Sequence, residues 1–199
     1  MNCYLRNEEK FVVRFATSNV NKVEEVVSIL EDYLIRIEQV NAKTMEIQAD
    51  NVEDIAKTSA IWAAQESKSP VFVEDTGLFV KALEGFPGPY AAYVYKTIGR
   101  KGILKLLSGV SDRRAEFRSV VAFCAPGGEA VCFLGIVSGM ISAEERGSWG
   151  FGFDSIFKPD GGGGRTFAEM PIDEKNRYSH RAQSVRKFAD WYLKSFRGP

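Results

Sequence analysis

The chain reads as an α/β protein, an elongated and mixed twisted β-sheet with helices at both ends and two lobes flanking a cleft. Three observations predict this. A short apolar run is twice followed by a polar turn and then by a stretch of helical period. Two long β-branched and aromatic runs are joined by a Pro-Gly-Gly turn. The 199 residues, 45% of them apolar, suffice for one domain (residues 1–199) with a substantial core.

Taken in order, Phe11 to Ala16 is a strand that stops at the polar turn Thr17-Ser18-Asn19-Val20-Asn21-Lys22. Val23, Val26, Val27, Leu30 and Leu34 then recur at helical spacing, with Asn21 and Glu24 as a capping pair. Leu34 to Val40 alternates like a strand. The polar segment Met45 to Asn51 leads into a helix over Val52 to Ser67 that turns Ile55, Trp62 and Ala63 inward. Val71 to Val73 is a second strand, ending at Glu74-Asp75-Thr76-Gly77, and Gly85 to Tyr90 is a rigid loop. Lys101 to Leu107 reads as a helix, Ala115 to Ala125 and Ala130 to Gly139 as a hairpin, and Gly161 to Gly164 as a flexible loop. A last helix begins near His180 with Ser179 as its N-cap.

Charge and cysteine content narrow the functions. Lys plus Arg and Asp plus Glu number 26 each, so no global basic field exists to hold DNA or RNA, and no nucleic-acid partner is expected. Three cysteines, Cys3, Cys124 and Cys132, lack metal-ligand spacing and suggest reduced thiols in a cytoplasmic protein, with Cys124 and Cys132 in the core. No run reaches the roughly 18 apolar residues that span a bilayer, and Met1 to Lys10 lacks the apolar middle of a signal peptide. A soluble protein without a membrane partner is expected.

Four segments carry chemistry. Thr17 to Lys22 offers hydroxyls, amides and a lysine between a strand and a helix start, which suits a phosphate and equally an ordinary capping turn. Glu74-Asp75 puts two acids at a strand end, where Asp75 with a partner such as Glu46 suffices for a magnesium ion, or where both are solvated turn acids. Gly150-Phe151-Gly152-Phe153-Asp154 lets a ring stack on a flat base, or is a bulged strand end packed in the core. Glu174 to Arg181 holds the only histidine, His180, and gathers Lys175, Arg177 and Arg181 at a helix start, either as a reader of anions and polar bases or as a solvated cap.

In this order the strand-TSNxxK-helix, EDTGL, GFPGPY, GFGFDSIF, TFAEM and EKNxxSHR segments resemble the inosine triphosphate pyrophosphatase family from about Phe11 to Trp191. The resemblance implies a nucleotide-binding cleft in which Thr17, Ser18, Asn19, Val20, Asn21 and Lys22 surround the triphosphate. It implies Glu46 and Asp75 as ligands of Mg2+, with Mn2+ as a substitute, Asp75 as proton acceptor and Thr76 touching substrate. Phe151, Gly152, Phe153, Asp154 and Lys175 then line the nucleotide, and His180 and Arg181 meet the base. The implied activity is cleavage of ITP, dITP and XTP to the monophosphate and pyrophosphate by a homodimer that clears deaminated purines from the nucleotide pool.

Departures from the family pattern are Ser18 where glycine is frequent, Phe153 where Tyr or Trp is frequent, and Lys57 one position out of register with a frequent helix lysine. Met1 to Lys10 precedes the resemblance and reads as an N-terminal extension. The rival readings are a Maf-type nucleotide pyrophosphatase acting on other nucleotides, and a nucleotide-binding sensor without turnover.

Overall fold

The computed structural model describes residues 11–41, 45 and 47–196. In chain order these form β1 (Phe11–Ala16), α1 (Val20–Glu31), β2 (Ile35–Val40), α2 (Val52–Ser67), β3 (Val71–Val80), β4 (Pro87–Gly88), α3 (Ala91–Thr97) and α4 (Gly99–Leu106). There follow β5 (Arg114–Cys124), β6 (Val131–Ile141), β7 (Phe157–Pro159), α5 (Ile172–Tyr178) and α6 (His180–Phe196). Single 3-10 turns fall at Lys81–Leu83, Asp154–Ile156 and Phe167–Glu169.

Short polar side chains start the long helices. Asn19 Oδ1 accepts from Lys22 N at 3.3 Å, Asn51 Oδ1 from Asp54 N at 2.8 Å, and Ser179 Oγ from Ala182 N at 3.1 Å. Each bond satisfies an amide that has no partner within its helix. The cap of α1 is therefore Asn19 rather than Asn21, which is exposed in the first turn. Leu34 sits at φ 57° in the turn before β2, which removes it from the inward stripe, and Val27 is also exposed. On α2 the inward face is Val52, Ala56, Ala60, Ala63 and Ala64, while Trp62 lies at the surface and Ile55 is half-buried. Small alanines bring that helix close to the sheet; an indole would hold it off.

The seven strands run in the order β2-β1-β3-β5-β6-β7, with β4 paired to β3. β1 is parallel to β2 and β3, whereas β3, β5, β6 and β7 are antiparallel neighbours. The predicted mixed sheet and its hairpin are thus present. β3 does not stop at Val73. It pairs with β5 continuously from Val71↔Cys124 to Val80↔Ala115, so Glu74-Asp75-Thr76-Gly77 lies inside a strand and alternates between the two sheet faces.

Three groups of apolar side chains form two lobes along the length of β3 and β5. Around Phe72, α1 and α6 cover one face, with Phe72 stacked on Phe15 at 4.4 Å and on Phe188 at 4.9 Å. α2 covers the opposite face of that lobe. The second lobe gathers Leu78, Val80, Ile103, Leu107, Phe117, Phe157 and Phe167. Glu74 to Gly77, opposite Arg118 to Val121, forms the waist between them. At the start of α6 the helix backbone lies against β6, where a Cβ on Gly135 would stand 2.1 Å from the His180 carbonyl oxygen. Cys124 is buried and Cys132 half-buried, both as free thiols. Among the described residues no helix is long and apolar enough to cross a membrane.

Candidate active site

Among the described residues the waist is open along one edge. β1 ends at Ala16 and β4 begins at Pro87, opposite Phe79, so neither strand pairs with the stretch Glu74 to Gly77. This leaves a notch at the carboxyl ends of the parallel strands, where ligands of open α/β sheets bind. Its upper wall is the turn that enters α1. There Thr17 Oγ1 accepts from Asn19 N at 3.2 Å and Thr17 O accepts from Gln39 Nε2 at 2.9 Å, holding the turn at the start of α1, where first-turn amides have no intrahelical partner. Ser18, Val20 and Asn21 are exposed around this helix start. Lys22 reaches across the notch, donating to the Glu74 carbonyl at 2.6 Å and pairing with Glu74 Oε2 at 2.9 Å.

Strand alternation gives the two acids different surroundings. Glu74 points to the α6 face, where its side chain is fully enclosed. Its Oε1 accepts from Thr76 Oγ1 at 2.5 Å and Ser119 Oγ at 2.6 Å, and Arg181 Nε stands 3.2 Å away out of line, as a charge contact. Burial pushes the Glu74 carboxyl up, but Arg181, Lys22 and the two hydroxyls outweigh it and hold the group well below the usual carboxylate range. Asp75 is half-buried on the other face, which it shares with Val73 and the α2 side. There the segment before α2 is fastened by Ser59 Oγ donating to Met45 O at 3.2 Å.

From Glu74 a line of buried ions continues beneath the Phe151 turn. Arg181 also pairs with Glu25 of α1 and donates to Thr76 Oγ1 at 3.2 Å. Glu25 takes Lys175 at 2.6 Å, and Lys175 takes Asp154 at 2.7 Å. Burial raises the Glu25 carboxyl, yet Arg181 and Lys175 together bring it below its ordinary value. For Asp154 burial prevails over Lys175 and the shift is upward. Asp154 Oδ2 also accepts from Phe151 N at 2.9 Å, a turn that only a glycine at 150 permits, since a Cβ there would lie 2.2 Å from that oxygen. The Phe151 ring then covers both cations, 5.2 Å from Lys175 Nζ and 5.4 Å from Arg181 Cζ.

His180 lies stacked on Phe117, ring centroids 4.5 Å apart, with Nδ1 buried and unpartnered by the described residues. Burial, reinforced by Arg181 and Lys175, pushes its pKa well below the ordinary value, so the ring is neutral.

The Ham1 family profile matches residues 13–191 of this chain. The chain belongs to the Ham1 family. It is 49% identical over 186 residues to a dITP/XTP pyrophosphatase of Methanopyrus kandleri, covering 94% of this chain and 98% of that one. It is 52% identical over 177 residues to a dITP/XTP pyrophosphatase of Thermococcus kodakarensis, covering 89% and 95%. Its fold matches the HAM1 protein of Coxiella burnetii with a TM-score of 0.81 at 26% identity, over 92% of this chain and 99% of that one. The motif resemblance to the inosine triphosphate pyrophosphatases is thereby borne out.

Within this Ham1 fold the structure brings Lys22, Thr76, Phe151, Asp154, Lys175 and Arg181 into one connected cluster at the notch. Asp75 stands at the same waist on the other sheet face, and Gly152 is in the turn beside Phe151. Phe153 is turned away into the second lobe, edge-on to Tyr95 at 5.6 Å and only 3% exposed. Lys175, His180 and Arg181 are all buried, so this helix start is not a solvated cap. Glu46 lies outside the described residues, and among the described residues no three His, Cys, Asp or Glu gather as a metal cluster. Motif reading missed Glu25, Ser119 and Ser184. Glu25 had a signal: it stands four residues before the buried Ile29, on the apolar stripe of α1.

Proposed function

We propose that this Ham1 protein hydrolyses the non-canonical purine nucleoside triphosphates ITP, dITP and XTP to the monophosphate and pyrophosphate. The observation that carries the reading is the notch itself, where the amino end of α1 with Lys22, the half-buried Asp75, and the cluster of Phe151, Lys175 and Arg181 converge on one stretch of β3. Relatives that share about half of its residues over nearly the whole chain carry the name dITP/XTP pyrophosphatase.

The chemistry follows from the parts. Water attacks the α-phosphorus, the bond to the α–β bridging oxygen breaks, and pyrophosphate leaves with the electron pair. Thr17, Ser18, Asn19 and the first-turn amides of Val20 and Asn21, with Lys22, hold the phosphate oxygens. Asp75 takes the proton of the attacking water. Mg2+, or Mn2+ in its place, would be held by Asp75 together with Glu46, because such an ion asks for one or two carboxylates. When bound it neutralises charge on the phosphates.

Base choice rests on donors. A 6-oxopurine presents an acceptor where adenine presents an amino donor, and the permanently charged Arg181 and Lys175 offer only donors. Neutral His180 contributes a ring nitrogen, and Phe151 supplies a flat face. A buried site built to bond the 6-oxygen rejects adenine strongly, because mispairing strands its polar groups.

The acting unit is a homodimer in the cytoplasm, clearing deaminated purines from the nucleotide pool. Support for the dimer comes from a bare sheet face. Leu134, Ile136 and Met140 continue the α2 side of β6 past the helix and are 38%, 39% and 41% exposed. Phe86, Tyr90, Tyr93 and Ile98 line an open, mainly apolar groove of about 430 Å³. A second copy covering these surfaces would register as twice the chain mass in sedimentation.

Purified protein with magnesium and equal amounts of ITP, dITP, XTP, ATP, GTP and dTTP tests the reaction. The expected result is turnover of the first three, with monophosphate and pyrophosphate in equal amounts. Preference for dTTP would promote the Maf-type reading, and tight ITP binding without turnover the sensor.

A further inference from the structure

Among the described residues, six buried or half-buried ions of the site alternate in sign along one path: Lys22, Glu74, Arg181, Glu25, Lys175, Asp154. The path links α1 and β3 at the phosphate wall to α6, α5 and the Phe151 turn at the base wall. Glu74 is the joint. One carboxylate oxygen faces Lys22, and the other faces Arg181 together with Thr76 and Ser119. Its side chain is sealed from solvent, so water cannot replace a cation that leaves.

We infer that Glu74 is a positioning residue that couples the two ends of the site negatively, so that a ligand engaging Lys22 weakens a ligand engaging Arg181, and the reverse. The inference rests on the proposed nucleotide reading of the notch. A polyphosphate drawing on Lys22 leaves Glu74 with Arg181 as its only cation among the described residues, and a 6-oxopurine drawing on Arg181 leaves it with Lys22. Either alone is tolerable, because one cation and two hydroxyls still face the carboxylate. Both together leave a buried anion with hydroxyls alone, so the second ligand meets a cost that the first did not. An intact triphosphate engages both ends and bears that cost while bound. Once the α–β bond is broken, departure of either product returns a cation to Glu74, and the shared anion thereby favours product release. Ser119 keeps the carboxylate in place during this exchange and is itself bonded to Ser184 Oγ of α6 at 2.9 Å.

The test uses two probes that share no covalent bond. Inorganic pyrophosphate engages the phosphate wall, and inosine, which carries no charge, engages the base wall, so direct repulsion between them is absent. Titration calorimetry of the whole protein in magnesium buffer gives the pyrophosphate Kd with and without saturating inosine, then the inosine Kd with and without pyrophosphate. The expected result is about five-fold or greater weakening in each direction, by the same factor, as reciprocity requires. Glu74→Gln keeps an oxygen for Ser119 and Thr76 but removes the charge. In that variant each probe still binds and the coupling shrinks to within about two-fold, a change that a purely structural role would not produce.

Independent or mutually strengthening binding in the wild type, which needs no variant, would overturn the inference. So would full-sized coupling that persists in folded Glu74→Gln. If dITP is turned over while the probes bind independently, the coupling fails and the nucleotide reading stands. If neither probe binds and dITP is not turned over, both fall.

Discussion

Glu74 and Asp75 are adjacent in one strand and chemically near-identical, yet the structure gives them opposite surroundings. Glu74 faces α6, is sealed from solvent, and has its carboxylate occupied by two cations and two hydroxyls. Asp75 faces the α2 side and is half-buried. The difference comes from β-strand alternation alone, which sends consecutive side chains to opposite faces. A pair of acids in a row thus stands in two settings at one place: a sealed anion that organises Lys22 and Arg181, and a half-buried acid on the opposite sheet face.

The largest effect that sharpens this contrast is kinetic. Asp75→Asn is expected to lower dITP turnover by about 10²–10⁴-fold while stability to urea changes by less than about 1 kcal/mol. Steady-state rates beside an unfolding curve decide it, and wild-type turnover in the folded variant would remove Asp75 from the reaction. The matching change next door should be thermodynamic. Glu74→Ala leaves Lys22 and Arg181 without their shared anion and is expected to cost about 3–5 kcal/mol of stability, read from the urea midpoint. A midpoint at the wild-type value would contradict the buried network.

Arg181→Ala blurs the two roles, because Arg181 compensates Glu74 and Glu25 and is also the donor proposed to meet the base. Stability is expected to fall by a similar few kcal/mol. In the protein that remains folded, the ratio of dITP to dATP turnover should narrow by about ten-fold or more. A narrowed ratio without lost stability would mean that the arginine reads the base and carries no structural load.

The smallest effect is a pH slope from His180. Its folded pKa lies well below 6.5, so as pH falls through that value the unfolded chain takes up a proton that the folded chain refuses. Stability contributed by the neutral ring is present above about pH 6.5 and is lost below it, by at most about 1.4 kcal/mol per pH unit. The lowered carboxyl of Glu74 loses its contribution only further down, below the ordinary carboxylate range. The difference between wild type and His180→Gln from pH 7 to pH 5 isolates the histidine. Parallel stability curves would contradict its burial as a neutral group.

These contrasts also mark what a sequence can disclose. The turn before α1 and the long hairpin were legible, because strand-turn-helix order and Pro-Gly-Gly punctuation are local signals; Glu74 and Asp75 stood out as a pair, but inside β3 and not at its end. The different settings of Glu74 and Asp75 were not legible, since they depend on β3 running on to Val80 against β5, a pairing from Glu74↔Val121 to Val80↔Ala115 that spans 47 to 35 residues and that local pattern cannot report. Glu25 was hidden because a helix stripe is read for apolar residues, and an acid on it draws notice only when Lys175 and Arg181 are seen to meet it. Trp62 misled for the opposite reason: an aromatic suggests burial, but the close packing of α2 on the sheet admits only small side chains. Phe153, read as lining the nucleotide, packs in the second lobe because the glycine turns on either side of Phe151 expose that ring instead.

The bond that breaks is the centre of the account, and isotope labelling addresses it most directly. dITP hydrolysed in water enriched in oxygen-18, followed by mass analysis of both products, is expected to place a single heavy oxygen in the monophosphate and none in pyrophosphate. Label in the pyrophosphate, or release of labelled orthophosphate, would show attack at another phosphorus and contradict the assignment of the notch.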